Sequence, residues 1–432
     1  MPILLLLPVL MQGLEVVVTV VPFTPGTDLI AQNPIIKRVN RRSFLMSLST
    51  LALAQVLSGC GTADRQTLKI LLLKSSILAQ AMGKFRRQLD NRAVLNFSPA
   101  AQLDELFRLL QQWKKPPSNN SGRRWNLPWS NPDAGPSNLA DLVTLGNYWL
   151  ERAIAQELIL PLDPTTLDQW DNLPSPWQTL VRRNAEGQLD PEGQVWGAPY
   201  RWGTTVIAYR ADRFRNLGWT PQDWSDLWRP ELRDRLSLLD SPREVIGLTL
   251  KSLGHSYNRD RLDDLPELQE QLLALHRQAR LYSSDAYLQP LVIGDTWAAV
   301  GWSTDILSAM QRNPQIRAVV PPSGTALWSE LWVRPAGPNP VNPETPPPAS
   351  ALANQWINFC WDPEMAVQLS QLSQAASPML LNRDRGELPQ TLQTNGILLP
   401  SAEAIANSEF IEPLTPEIAE TYQALWREIR LS

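Results

Sequence analysis

Apolar residues fall along this chain in short blocks whose period switches between two and about 3.6. Leu68–Leu73 (L-K-I-L-L-L) is an apolar run of strand length, and the amphipathic stretch Ser76–Leu89 follows it at helical spacing. Ala93–Phe97 reads as a second strand and Leu103–Trp113 as a helix. Leu139–Leu145 is a third strand and Tyr148–Glu157 the helix after it. This alternation predicts an α/β fold with largely parallel sheets. Two stretches, 114–138 and 335–348, are dominated by Pro, Gly, Ser and Asn and read as surface loops. The second leads into a helix over Ala351–Cys360, and no internal repeat is present.

The first sixty residues follow a different logic. Asn40-Arg41-Arg42-Ser43-Phe44-Leu45 resembles the twin-arginine export signal, with Asn where Ser or Thr is usual. The apolar run Leu45–Leu57 has the length of a signal-peptide core and is too short to span a bilayer. Leu57-Ser58-Gly59-Cys60 resembles a bacterial lipobox, in which the cysteine becomes the lipid-bearing first residue. Residues 1–59 are therefore a targeting region, and the mature protein is expected to be periplasmic and lipid-anchored through Cys60. Residues 1–36 hold a second apolar stretch broken by Pro8, Gly13 and Glu15, so translation is expected to begin near Val39.

Length and composition narrow the function. Starting at Cys60, the mature chain would be 373 of the 432 residues, too long for one ordinary core and suited to two lobes. The net charge of −4 gives no basic surface for nucleic acid. With Cys60 lipidated, Cys360 has no partner, and a disulfide framework is excluded. His255 and His276 are the only histidines, too few for a zinc site or a His-based triad, and neither a metal nor a cofactor is expected. The 18 tryptophans outnumber the 8 phenylalanines and 7 tyrosines; most are expected in the core, yet Trp faces also bind sugars and organic cations.

From Trp196 to about Ala376 the chain resembles the bacterial periplasmic spermidine/putrescine-binding proteins of ABC importers. The resemblance rests on W-G-A-P-Y-R-W-G-T-T-V-I-A-Y-R at 196–210, D-W-S-D-L-W-R-P-E-L at 223–232 and L-L-D-S-P-R-E-V at 238–245. It continues with V-G-W-S-T-D-I-L at 300–307, L-W-S-E-L-W-V-R-P at 327–335 and, upstream, D-L-V-T-L-G-N-Y-W-L at 141–150. It implies a two-lobe periplasmic binding protein fold of type II, with two crossing segments near Gly197–Tyr209 and Ser373–Pro378. One lobe would comprise 60–200 and 329–375, the other 201–328 and 376–432. The function implied is capture of a polyamine or related small organic cation by a monomer that delivers it to a membrane permease.

A polyamine needs carboxylates at its amines and aromatic faces along its methylenes. The resemblance places Tyr148 along the cleft, Glu244 on an amine, Trp302 and Trp328 on either side of the alkyl chain, and Glu330 where an aspartate usually meets a terminal amine. An amine-binding aspartate of the family falls on Ser241, with Asp240 one residue earlier, where a one-residue offset in a strand would turn the side chain to the other face. The aromatic pair expected after the first strand is replaced by L-K-S-S-I-L at 73–78, and a later tyrosine by Q-A-A-S-P-M at 374–379. Arg201, in P-Y-R-W-G, would repel a polycation from inside the cleft and is expected to face solvent. Three other readings stay open: the same fold holding a sugar, an amino-acid derivative or an anion; a ligand-free tethered scaffold; and a hydrolase using Glu244 with Glu330. No nucleophile elbow, Walker loop or H-E-x-x-H supports the last.

Overall fold

The computed structural model describes residues 66–89, 93–115 and 139–432 apart from 340, 343–346 and 348. Arg41, Arg42, the apolar run after them and Cys60 lie outside the described residues, as do most of the 114–138 loop and part of 335–348.

The amino-terminal elements follow the periodicity. Strand β1 (Thr67–Leu73) is followed by α1 (Ala79–Gln88), β2 (Val94–Ala100), α2 (Leu103–Lys114) and β3 (Leu142–Gly146). Helix α2 buries Leu106, Phe107 and Leu110 on one stripe, with Asp104 and Glu105 in its first turn, where acids favour the helix dipole. After β3 a single 3₁₀ turn, Asn147–Trp149, precedes α3 (Leu150–Ala155). β1 pairs with β2 and β3 in parallel.

The middle of the molecule is built from β4 (Ala198–Arg210), β5 (Leu236–Leu238), α4 (Pro242–Ser252), α5 (Pro266–His276) and β6 (Ala279–Tyr282). β7 (Ala298–Trp302), α6 (Ser303–Arg312), β8 (Ile316–Val319) and β9 (Ala326–Pro335) follow. The chain closes with α7 (Ala351–Trp361), α8 (Pro363–Ser373), β10 (Glu409–Phe410) and α9 (Pro416–Leu431). Among the described residues the strands run β2-β1-β3-β9-β4-β7-β5-β6, with β8 also on β4 and β10 on β9. The outer ladders are parallel, as expected, but β9 is antiparallel to β3 and β4, and β4 to β7 and β8. The antiparallel centre arises because two long strands, β4 and β9, carry the chain from one lobe to the other and back.

Two apolar clusters make up the interior of the described residues. One gathers Leu68, Ile70, Leu142, Leu331, Trp332, Trp356 and Trp361; the other gathers Phe214, Trp224, Leu236, Leu248, Leu272 and Leu275. Half of the largest fully buried side chains are tryptophans, Trp177, Trp202 and Trp224 among them. Cys360 is a buried free thiol in α7. Residues 376–432, read from the sequence as one segment of the second lobe, divide between the clusters. Met379, Leu380, Leu392 and Leu399 join the first, while Tyr422, Trp426 and Ile429 of α9 join the second. Asn382 donates to the Asn172 carbonyl at 3.0 Å, which ties this segment to the amino-terminal side. Gln374, with φ of 56°, turns the chain out of α8, and Ala376 then exchanges backbone hydrogen bonds of 2.8 and 3.0 Å with Trp202 of β4.

Candidate ligand-binding cleft

Alternation along β4 sends Arg201, Gly203 and Thr205 to one face of the strand. Each is opposite a residue that the sequence singles out, or its neighbour in space: Arg201 faces Glu330, Gly203 faces Trp328 and Thr205 faces Trp302. Trp302, Trp328 and Glu330 thus line up along β4, on the two strands paired with it.

Glu244 enters from α4. Ser241 caps that helix, its hydroxyl accepting the Glu244 backbone N–H at 3.4 Å, with Pro242 fixing the first turn. The Glu244 carboxylate is 7 % exposed and accepts hydrogen bonds from the Thr205 hydroxyl (3.0 and 3.1 Å) and the Trp302 indole (3.3 Å). No lysine or arginine among the described residues is ion-paired with it. Burial raises its pKa to about 7, against the smaller opposing effects of Thr205, Trp302 and Arg243. Arg243 is drawn to the other side: it donates to Asn258 and to the Glu412 carbonyl and lies 5.0 Å over the Tyr422 ring. Asp240 is exposed and pairs with Arg430 at 2.6 Å, so it turns away from Glu244.

Glu330 sits differently from its expected place at an open ligand end. It is 3 % exposed and grips Arg201 in a two-pronged pair, Nε to Oε2 at 2.8 Å and Nη2 to Oε1 at 2.5 Å. The Tyr200 hydroxyl adds 2.7 Å to Oε2. A β-bulge allows both neighbours to reach one carboxylate: Glu330 is opposite Arg201 and Leu331 is opposite Pro199, leaving Tyr200 as the extra residue. Arg201 itself is 6 % exposed, which overturns the expectation that it faces solvent. Burial works against its charge, but the Glu330 carboxylate beside it more than offsets that and holds its pKa above the ordinary arginine value.

Trp328 is half-buried and lies on Gly203, where a Cβ would come within 2.3 Å of its ring. Trp302 is half-buried and meets Tyr287 edge-on, with ring centres 6.2 Å apart. Tyr148, in the turn after β3, is 44 % exposed.

One acid escaped the sequence reading. Asp305, in the first turn of α6 three residues after Trp302, is solvent-exposed and accepts the Tyr287 hydroxyl at 3.1 Å. Crowding by the surrounding protein raises its pKa, with Tyr287 and Arg201 acting in the opposite sense. The W-S-T-D spacing was its available signal, since an acid three residues after a strand-end tryptophan returns to the same helix face. Taken together, the cleft offers one buried carboxylate without an ionic partner, one exposed carboxylate, two accessible indoles and a neutralised Arg–Glu pair. That set suits binding of a small organic cation. Among the described residues no cluster of His, Cys, Asp and Glu could hold a metal.

A family model described as bacterial extracellular solute-binding protein matches residues 137–407. The putrescine/cadaverine-binding protein of Pseudomonas aeruginosa is 28% identical over 267 residues, 58% of this chain and 72% of that one. The putrescine-binding periplasmic protein of Escherichia coli is 26% identical over 311 residues, 67% of this chain and 78% of its own. Among solved structures, the spermidine/putrescine ABC transporter substrate-binding protein of Streptococcus pneumoniae superposes with a TM-score of 0.69 at 20% identity, covering 85% of this chain and 99% of that one. The TpPotD lipoprotein of Treponema pallidum gives 0.61 at 16% identity, covering 85% and 100%.

Proposed function

The chain belongs to the bacterial extracellular solute-binding proteins and has the two-lobed type II fold, and from that premise we propose that it captures a polyamine or a related small organic cation between its lobes. Delivery to an ABC permease, action as a monomer and tethering in the periplasm through Cys60 complete the proposal. Among the described residues no helix is long and apolar enough to cross a membrane.

One observation carries the ligand class. Glu244 is a buried carboxylate with two neutral hydrogen-bond donors and no ion-paired cation among the described residues, set beside the Trp302 indole. An ammonium would supply the missing charge, and the indole face would cover the methylenes beside it. Asp305 provides a second acid near the same tryptophan. The names of the curated relatives point the same way. The anion reading loses its main support because Arg201 is occupied by Glu330, and the hydrolase reading loses a free Glu330 for the same reason.

A thermal-shift screen over diamines, sugars, amino acids and oxyanions tests this. A ligand that binds only the folded state adds about 2.7 kcal/mol at a hundredfold excess over Kd. Short amines such as putrescine are expected to raise Tm, and the other classes to leave it unchanged. A shift confined to a sugar or an oxyanion would overturn the ligand assignment.

A further inference from the structure

Thr205 with Trp302, Gly203 with Trp328 and Arg201 with Glu330 follow one another two residues apart on β4. Two residues of extended chain advance by about 7 Å, so these pairs form three successive rungs along the strand face. Glu244 accepts from both residues of the first rung. The second is an indole resting on bare backbone. The third bears two charges that cancel.

Both oxygens of Glu330 are already engaged by side chains of the protein itself. Oε2 accepts from Arg201 and Tyr200, and Oε1 from Arg201. A ligand ammonium at this rung would have to displace a guanidinium held there by the chain itself, whose effective concentration is far above that of any free ligand. Failing that, it would meet a carboxylate whose charge Arg201 already balances, and so would gain little at this rung.

Building on the cation reading above, we propose that Arg201 is a specificity-determining residue that closes the Glu330 rung to ammonium groups. The cleft then selects cations short enough to keep their charge near Glu244 and Asp305, and it discriminates against longer polyamines whose distal amine would arrive at the third rung. The sequence position of Glu330 alone gives the opposite expectation, an acid open to a terminal amine. The difference lies in one side chain, Arg201, directly across the strand pair.

Titration calorimetry of the full-length protein with putrescine and with spermidine tests the proposal. For the wild type, spermidine is expected to bind more weakly than putrescine by roughly tenfold or more. Arg201→Met should narrow or invert that ratio, because Glu330 becomes available to the distal amine. That substitution leaves a buried carboxylate uncompensated, so Arg201→Met combined with Glu330→Leu serves as the second variant. Removing both charges should bring the two affinities close together. Spermidine binding to the wild type as tightly as putrescine, or a ratio unmoved in a folded variant, overturns the role of Arg201. Failure of both amines to bind would instead overturn the cation reading itself.

Discussion

Burial lifts the Glu244 carboxyl from its ordinary 4.5 to about 7, so the folded protein keeps a proton there that the unfolded chain has already released. Between those two values the native state binds more protons than the unfolded state, and stability must fall as pH rises through that window. A shift of this size corresponds to something on the order of 3 kcal/mol. The charged and titratable groups bearing on the site are Arg243 beside Glu244, Asp305 with Tyr287 across Trp302, and Tyr257, whose own pKa is raised first by burial and further by Glu244. The ligand-free protein should therefore lose Tm between about pH 4.5 and about pH 7, and Glu244→Gln should flatten much of that slope, leaving the part due to Asp305. An ammonium ligand favours the ionised carboxylate, so its affinity should rise over the same range. Parallel melting curves for the wild type and Glu244→Gln would refute this account of the carboxyl.

At the scale of elements, the crossing strands place the site and a single missing side chain shapes it. Trp328 can lie across β4 because Gly203 leaves room: an added Cβ would stand 2.3 Å from the ring and 2.5 Å from the Ser303 hydroxyl. Gly203→Ala should push the indole off its platform, costing about 1–3 kcal/mol of stability as an overpacked contact and about 0.5–2 kcal/mol of cation binding. Urea unfolding paired with calorimetry measures both, and an unchanged affinity would remove Trp328 from the site. The elements themselves were largely legible. The runs at 68–73, 93–97 and 103–113 appear as β1, β2 and α2 within a few residues, because their apolar spacing is decided locally. What the sequence hid depends on pairing between distant strands. The bulge at Tyr200 and the Arg201–Glu330 pair join residues about 130 positions apart, and no local pattern announces that a buried arginine has found its acid. Ser241 and Asp240 lie past the end of β5, so the alternation of a strand does not set where they point: Ser241 caps α4 and Asp240 pairs with Arg430.

For the whole molecule, Glu244 matters because its hydrogen bonds run to β4 and to the end of β7 beside it. A cation entering between the lobes would give Glu244 an ionic partner, and the same contact would draw the lobes together around it. Segment 373–376 runs beside β4 at this junction, where Ser373 offers its carbonyl to Arg201 at 3.5 Å and Ala376 pairs with Trp202. In the proposed function, cation capture and lobe geometry would be coupled through a few residues around β4, near Glu244 and Arg201. The most direct test of that claim is calorimetric titration of putrescine into the wild type and into Glu244→Gln. Removing one partner of a desolvated charged pair costs about 2–5 kcal/mol, so the variant, folded and melting no lower than the wild type above about pH 7, should bind putrescine at least tenfold more weakly. Equal binding by the two proteins would contradict the account.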